Sequence, residues 1–170
     1  MNLQLVKLEE KYRRHLTEMM DEWSLTNEKI IPGAIGKNDY LDFNNYVANL
    51  EIKEGNSRLV PDSTFFCIDT DRDVFVGAVN IRHYLNDALL LRGGHIADGV
   101  RPSERRKGIA TKMIALALDE CRKLGIDHVL MICDKDNIGS AKSIMNNGGV
   151  LENEIEDAGG IVQRYWIALK

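Results

Sequence analysis

The sequence predicts a single α/β domain built on one central mixed, mostly antiparallel twisted sheet with helices on both faces. Three observations predict it. Short apolar runs of strand length occupy the middle of the chain at Thr64–Ile68, Val74–Ile81, His95–Val100 and Ile126–Cys133. Segments with apolar residues at three- and four-residue steps precede and separate them. The length, 170 residues, is that of one domain.

Composition narrows the classes. At 44% hydrophobic and 28% charged residues, the chain resembles a globular domain. A chain this long buries roughly 70% of its unfolded surface and needs no disulfide or metal staple. The net charge of −4 argues against a nucleic-acid partner, which leaves a basic footprint. Cys67, Cys121 and Cys133 are widely spaced, with no CxxC pair, so free buried thiols are expected and a metal site is not. Met1–Lys7 lacks the apolar core of a signal peptide, and no run approaches the ~20 apolar residues of a membrane span. The expectation is a cytoplasmic protein.

Taken in order, Leu3–Leu8 alternates apolar and polar residues as a strand does. Tyr12–Trp23 has helical spacing, with Tyr12, Leu16, Met19, Met20 and Trp23 on one side. Asn27–Lys37 carries Pro32, Gly33 and Gly36 and is expected to be a loop. Asn38 is the expected cap of a second helix whose apolar side is Tyr40, Leu41, Phe43, Tyr46, Val47 and Leu50. After the turn-rich Gly55–Pro61, two apolar runs flank the polar turn Asp69–Asp73, a hairpin pattern. A short helical turn at Asn86–Leu91 leads to Gly93-Gly94 and a strand, His95–Val100, that Pro102 ends. Lys107–Leu124 is the clearest helix, with Ile109, Met113, Leu116, Ala117, Cys121 and Leu124 as its stripe and Gly125 as its stop. Ile126–Cys133 is a central strand, Asn137–Asn147 a helix, and Val150–Ile155 and Ile161–Leu169 the last two strands.

The segment that carries chemistry is His95–Thr111. A strand ends at Val100, a basic loop follows, and a helix begins near Gly108. The first turn of that helix presents unpartnered backbone N–H groups at the positive end of its dipole. Gly108 has no Cβ and Ala110 is small, so an anion can approach the backbone closely. Arg105, Arg106 and Lys107 add charge at the same point. The spacing is neither that of a P-loop nor that of a dinucleotide-binding GxGxxG turn.

Arg105, Gly108 and Ala110 together resemble the (Arg/Gln)-x-x-Gly-x-(Gly/Ala) pattern of the GCN5-related N-acetyltransferase (GNAT) superfamily. Val100-Arg101-Pro102 before the loop and Asn137-Ile138-Gly139-Ser140 downstream are similar to the flanking family motifs. Ile81-Arg82-His83, Gly93-Gly94-His95-Ile96 and Arg101–Arg105 resemble a bacterial subgroup of predicted acetyltransferases. The likeness spans residues 64–169, the expected acetyl-CoA-binding core, with residues 1–60 as variable substrate-side helices.

The resemblance implies an enzyme that moves the acetyl group of acetyl-CoA directly to a primary amine, on a small molecule or peptide, without a metal. It implies that Asp98, Gly99 and Val100 pair with the pantetheine arm through their backbone. Arg105, Arg106, Lys107, Gly108, Ile109, Ala110 and Thr111 would wrap the pyrophosphate. Asn137 and Ser140 would sit at the start of the following helix, where Asn137 either bonds the pantetheine or acts as an N-cap. A backbone N–H near Val100 would polarise the thioester carbonyl.

Two positions depart from the family. Ile144 stands where many members carry a tyrosine acid, and Ile132 where some carry a glutamate. Protonation of the thiolate would then come from Ser140, another side chain or water, or activity would be weak. His95, Asp98 and His83 are candidate bases, with His95 and Asp98 on opposite strand faces unless a bulge intervenes. Glu18, Asp21, Glu22, Asp39, Asp42, Glu51 and Glu54 are candidates for attracting a cationic amine, and a solvated helix face accounts for them equally. The missing acid leaves a second reading open, a non-catalytic acyl-CoA-binding or regulatory module. A third is another nucleotide or phosphate binder. Val162, Tyr165 and Trp166 are candidates for a homodimer contact or for core packing.

Overall fold

The computed structural model describes the backbone of residues 1–170 and every side chain except that of Asp157. The elements run β1 (Leu3–Val6), α1 (Arg13–Ser24), α2 (Gly33–Gly36), α3 (Phe43–Ala48), β2 (Asp62–Asp69) and β3 (Val74–Arg82). After a turn at Leu89–Gly93 come β4 (Ile96–Val100), α4 (Ile109–Lys123), β5 (His128–Asp134), α5 (Ile138–Asn146), β6 (Val150–Asp157) and β7 (Gly160–Ala168). This is the expected mixed α/β fold, with one difference in its sheet. The strands bond as two ladders, β1-β2-β3-β4 and β5-β7-β6, and every pair within them is antiparallel.

The seam between β4 and β5 is held at one end. His95 N–H donates to Leu130 O at 2.8 Å. Leu130 N–H in turn donates to Nδ1 of the buried His95 ring at 2.9 Å. Beyond this double link the strands separate, and Val100 and the Asn137 turn border a common cavity.

Two packed layers hold the sheets. On one side α4 buries Ile109, Met113, Ile114, Ala117, Leu118 and Cys121 against Val76, Val79, Val129 and Met131. Each large side chain removed from water there contributes roughly 1.5–3 kcal/mol. The buried stripe is rotated from the expected one. Ile114 and Leu118 are inside, while Leu124 is 42% exposed, because the helix ends before it at Lys123. On the other side α1 packs Leu16, Met19, Met20 and Trp23 over Phe66, Phe75 and Ala78. The second helix is shorter than expected and is capped by Asp42, whose carboxylate accepts from Asn45 N–H, rather than by Asn38. Phe43, Tyr46 and Leu50 are buried, but Leu41 and Val47 face solvent. The loop at 27–37 includes the single turn α2.

Cys67, Cys121 and Cys133 are free and buried. Burial pushes the Cys67 and Cys121 thiols up to about 12, so neither is a nucleophile near neutrality. Val162 and Tyr165 are buried within their own chain, whereas Trp166 is half-buried and its Nε1 donates to Glu152. Among the described residues, no helix is long and apolar enough to cross a membrane, and no group of three or more His, Cys, Asp or Glu is placed to hold a metal.

Candidate active site

The cavity has a volume of about 810 Å³ and lies where β4 and β5 part. Its floor is the end of β4: Asp98, Gly99 and Val100. Arg101 N–H donates to Val76 O, and Arg82 N–H donates to His95 O, with the β3–β4 register unbroken between them. Antiparallel alternation therefore directs the Asp98 and Val100 amides away from β3, towards the gap. The same unbroken register leaves His95 and Asp98 on opposite faces.

The far wall is the start of α4. Gly108 is its N-cap residue and adopts φ +77°, a left-handed conformation that favours glycine. A Cβ added there would meet nothing within 4 Å, so the space beside the backbone is open. No side chain caps the helix. The first-turn N–H groups of Ile109, Ala110 and Thr111 thus have no intrahelical partner, and Ile109 and Ala110 line the cavity.

Two carboxylates hold the basic loop in place. Buried Glu104 accepts a two-pronged bond from Arg72 (2.9 and 2.8 Å) and a third from Lys107 (3.2 Å). The Arg72 guanidinium, with Lys107 behind it, keeps its carboxyl below the usual range. Glu22, on α1, accepts from Arg101 Nε, Ser103 N and Ser103 Oγ, each at 2.9 Å. Burial opposes ionisation of Glu22, but the Ser103 and Arg101 bonds outweigh it and lower its pKa.

The expected anion-binding residues therefore divide. Arg105, Arg106, Gly108, Ile109 and Ala110 line the cavity. Arg106 has no ion pair or hydrogen bond from its side chain among the described residues, whereas Arg105 is paired to Glu28 at 2.9 and 2.6 Å. Lys107 is turned to Glu104 and is not on the wall. Thr111 is also off the wall; its carbonyl accepts from Asn147 Nδ2 at 3.0 Å.

Asn137 and Ser140 border the cavity from α5. Asn137 Oδ1 accepts from Ser140 N–H at 3.1 Å, which is an N-cap. Burial raises the Cys133 thiol, and a bond with the Ser140 hydroxyl partly offsets this. Ile144 is fully buried in the core under α4, so this helix position faces away from the cavity; Ser140 and Ser143 are the α5 hydroxyls on its wall.

The candidate bases also divide. His95 does not line the cavity. Its Nδ1 lone pair is taken by Leu130 N–H, and burial, with the Arg82 charge beside it, lowers its pKa to about 4. His83 is bonded to Ser63 at 2.8 Å. Asp98 alone of the three borders the cavity. Burial raises its pKa to about 6, against a bond from its own backbone N–H.

Trp23, Glu28, Lys29 and Ile31 were not expected at the site. They reach it from α1 and the loop after it. A Cβ on Gly99 would overlap Ile31 O, lie 2.7 Å from Ile31 C and touch Trp23 at 3.1 Å. Gly99 is thus the gap through which this loop crosses β4. No local pattern announces these residues, because only the fold brings them within reach.

No curated protein sequence matches the chain significantly. Solved structures do. A chimera of spermidine N-acetyltransferase SpeG from Vibrio cholerae and hSSAT superposes with a TM-score of 0.65 at 15% identity, covering 99% of this chain and 96% of that one. The microcin self-immunity acetyltransferase MccE, solved with acetyl-CoA and AMP, gives 0.68 at 17% identity over 98% of this chain and 92% of its own. At these identities the likeness establishes the fold. The sequence profile of the acetyltransferase (GNAT) family matches residues 16–143, which reaches into α1 and beyond the segment that the motifs alone marked. That match covers more than half of the chain, and the protein belongs to the acetyltransferase (GNAT) family.

Proposed function

We propose that this protein is an acetyl-CoA-dependent N-acetyltransferase whose acceptor is a primary amine and whose general base is Asp98. The observation that carries the reading is the position of Asp98. A carboxyl with a pKa of about 6 stands in the same cavity as an uncapped helix N-terminus.

The residues present fit such a donor. The Ile109 and Ala110 amides, the open space beside Gly108 and the unpaired Arg106 suit a pyrophosphate. The outward Asp98 carbonyl and Val100 amide of β4 suit an extended amide-bearing arm. Acetyl-CoA supplies an activated thioester. Asp98, ionised above pH 6, accepts the proton of an incoming ammonium and leaves a neutral amine nucleophile. The Val100 amide, aimed into the gap, can donate to charge developing on a carbonyl oxygen. Ser140 offers a hydroxyl on the opposite wall for the thiolate.

Isothermal titration with acetyl-CoA, followed by free-thiol release across a panel of amines, tests the proposal. Binding with amine-dependent thiol release supports it. Binding without turnover on any amine would favour a non-catalytic acyl-CoA module, the reading suggested by Ile144 in the tyrosine position. No binding at millimolar acetyl-CoA would sink both.

A further inference from the structure

Glu28 and Arg105 come from opposite sides of the cavity, one from the loop after α1 and the other from the loop before α4. Their two-pronged pair (Arg105 Nη1 to Glu28 Oε1 2.9 Å, Nη2 to Oε2 2.6 Å) crosses between two segments that both line it. The side chains are 42% and 49% exposed, so solvent and competing ions reach them and the pair is exchangeable.

Five other acidic residues of the N-terminal half are engaged elsewhere. Glu18 pairs with Arg14, Asp21 accepts from Tyr40, and Asp42 caps α3. Glu22 holds Arg101 and Ser103, while Glu51 holds Lys7 and the Thr64 amide. None of these lines the cavity; Glu28 does, and its partner belongs to the anion site.

We infer that this pair is a latch and that Glu28 has two partners in turn: Arg105 while the donor site is empty, and the second positive charge of a polycationic amine once a donor phosphate has taken Arg105. This rests on reading the cavity as an acetyl-CoA site. The exchange has a direction. A phosphate at the start of α4 gains the Ile109 and Ala110 amides and Arg106 as well as Arg105, whereas among the described side chains the Glu28 carboxylate is bonded to Arg105 alone. Once released, Glu28 is an unpaired carboxylate on the cavity wall, separate from Asp98. Asp98 serves the reacting amine, and Glu28 serves a further ammonium on the same acceptor.

The test compares wild type, Glu28→Gln and Glu28→Asp, each checked for an unchanged melting temperature. Titration with inorganic pyrophosphate and with acetyl-CoA reads the latch. Steady-state kinetics with 1,4-diaminobutane and with butylamine reads the acceptor role. Loss of the competing carboxylate is expected to tighten both anions about two- to fivefold in Glu28→Gln. The same variant is expected to raise KM for the diamine about tenfold with butylamine unaffected, and Glu28→Asp to restore much of that loss. Unchanged or weaker anion affinity in folded Glu28→Gln, or equal KM changes for the two amines, would overturn the latch while leaving the acetyl-CoA reading intact. Failure of the wild type to bind either anion would overturn both.

Discussion

His95 joins the two sheets through both its backbone and its ring: its N–H donates to Leu130 O at 2.8 Å, and Leu130 N–H donates to His95 Nδ1 at 2.9 Å. The cavity opens beyond this link. The histidine is thus the rivet at the closed end of the seam, and its neutral ring is what the link requires.

This makes stability depend on pH through His95. The folded pKa, about 4, lies below the ordinary value near 6.5. The unfolded chain therefore binds more protons between these values, and stability rises with pH across that window. The contribution is complete above about pH 6.5 and is lost as pH falls towards 4. It amounts to about 3 kcal/mol at most. Urea melts of wild type and His95→Gln between pH 4 and 7.5 should show this slope in the former and a flatter curve in the latter. A further expectation is that His95→Gln keeps the activity–pH profile, since the ring does not reach the cavity.

Asp98 should carry the activity–pH profile instead. kcat/KM is expected to rise with pH through about 6 and to level off above it. Asp98→Asn should lower kcat by about two to three orders of magnitude and abolish this limb. The stability effect has the opposite sign. The folded carboxyl holds its proton more tightly than the unfolded one, so its penalty grows as pH rises from about 4 to about 6 and is complete at pH 7. Asp98→Asn should then be more stable than wild type at pH 7 by about 1–2 kcal/mol, after discounting for partial solvent access. A variant both inactive and less stable would argue for a structural role.

Gly99 and Gly108 should respond differently to alanine. Gly99→Ala drives a methyl into Ile31 and Trp23, so the loop after α1 must move, at a cost of about 1–3 kcal/mol. Gly108→Ala meets no protein atom and costs only the left-handed strain, about 1 kcal/mol. Its methyl projects into open space beside the proposed pyrophosphate site, so acetyl-CoA affinity should fall by more than the stability does. Paired melts and titrations separate the two outcomes.

Glu22→Gln should loosen the basic loop without touching the ligand. It weakens three bonds to Arg101 and Ser103, one of them from a charged guanidinium. About 1–3 kcal/mol of stability should be lost. Acetyl-CoA affinity should weaken, because the loop that leads into α4 is no longer held against α1. Hydrogen exchange at Ser103–Gly108 should quicken. Unchanged exchange there would show that Glu104 and Arg72 suffice to hold the loop.

Legibility differed along the chain for physical reasons. The β2–β3 hairpin and α4 were readable because their signals are local: apolar runs about a polar turn, and a repeat closed by Gly125. Residues that the cavity takes from β4 and the start of α4 were readable because strand, loop and helix are contiguous. The second helix was misplaced because Asn38 and Asp42 are both good caps, and tertiary packing of Phe43 and Tyr46 chose between them. Lys107 read as an anion ligand because charge in a sequence carries no direction. In the fold, buried Glu104 claims it.

What the sequence by itself determined is the α/β class, the uncapped turn that leads from Arg105 to Ala110 into α4, and the family membership whose motif that turn carries, since each rests on neighbours along the chain. Tertiary structure decided which ionisable groups meet. It placed His95 in the seam, left Asp98 in the cavity, and brought Glu28 across 77 residues to Arg105. Proton affinities and ion pairs depend on burial and on distance in space, and neither is written in the order of the residues.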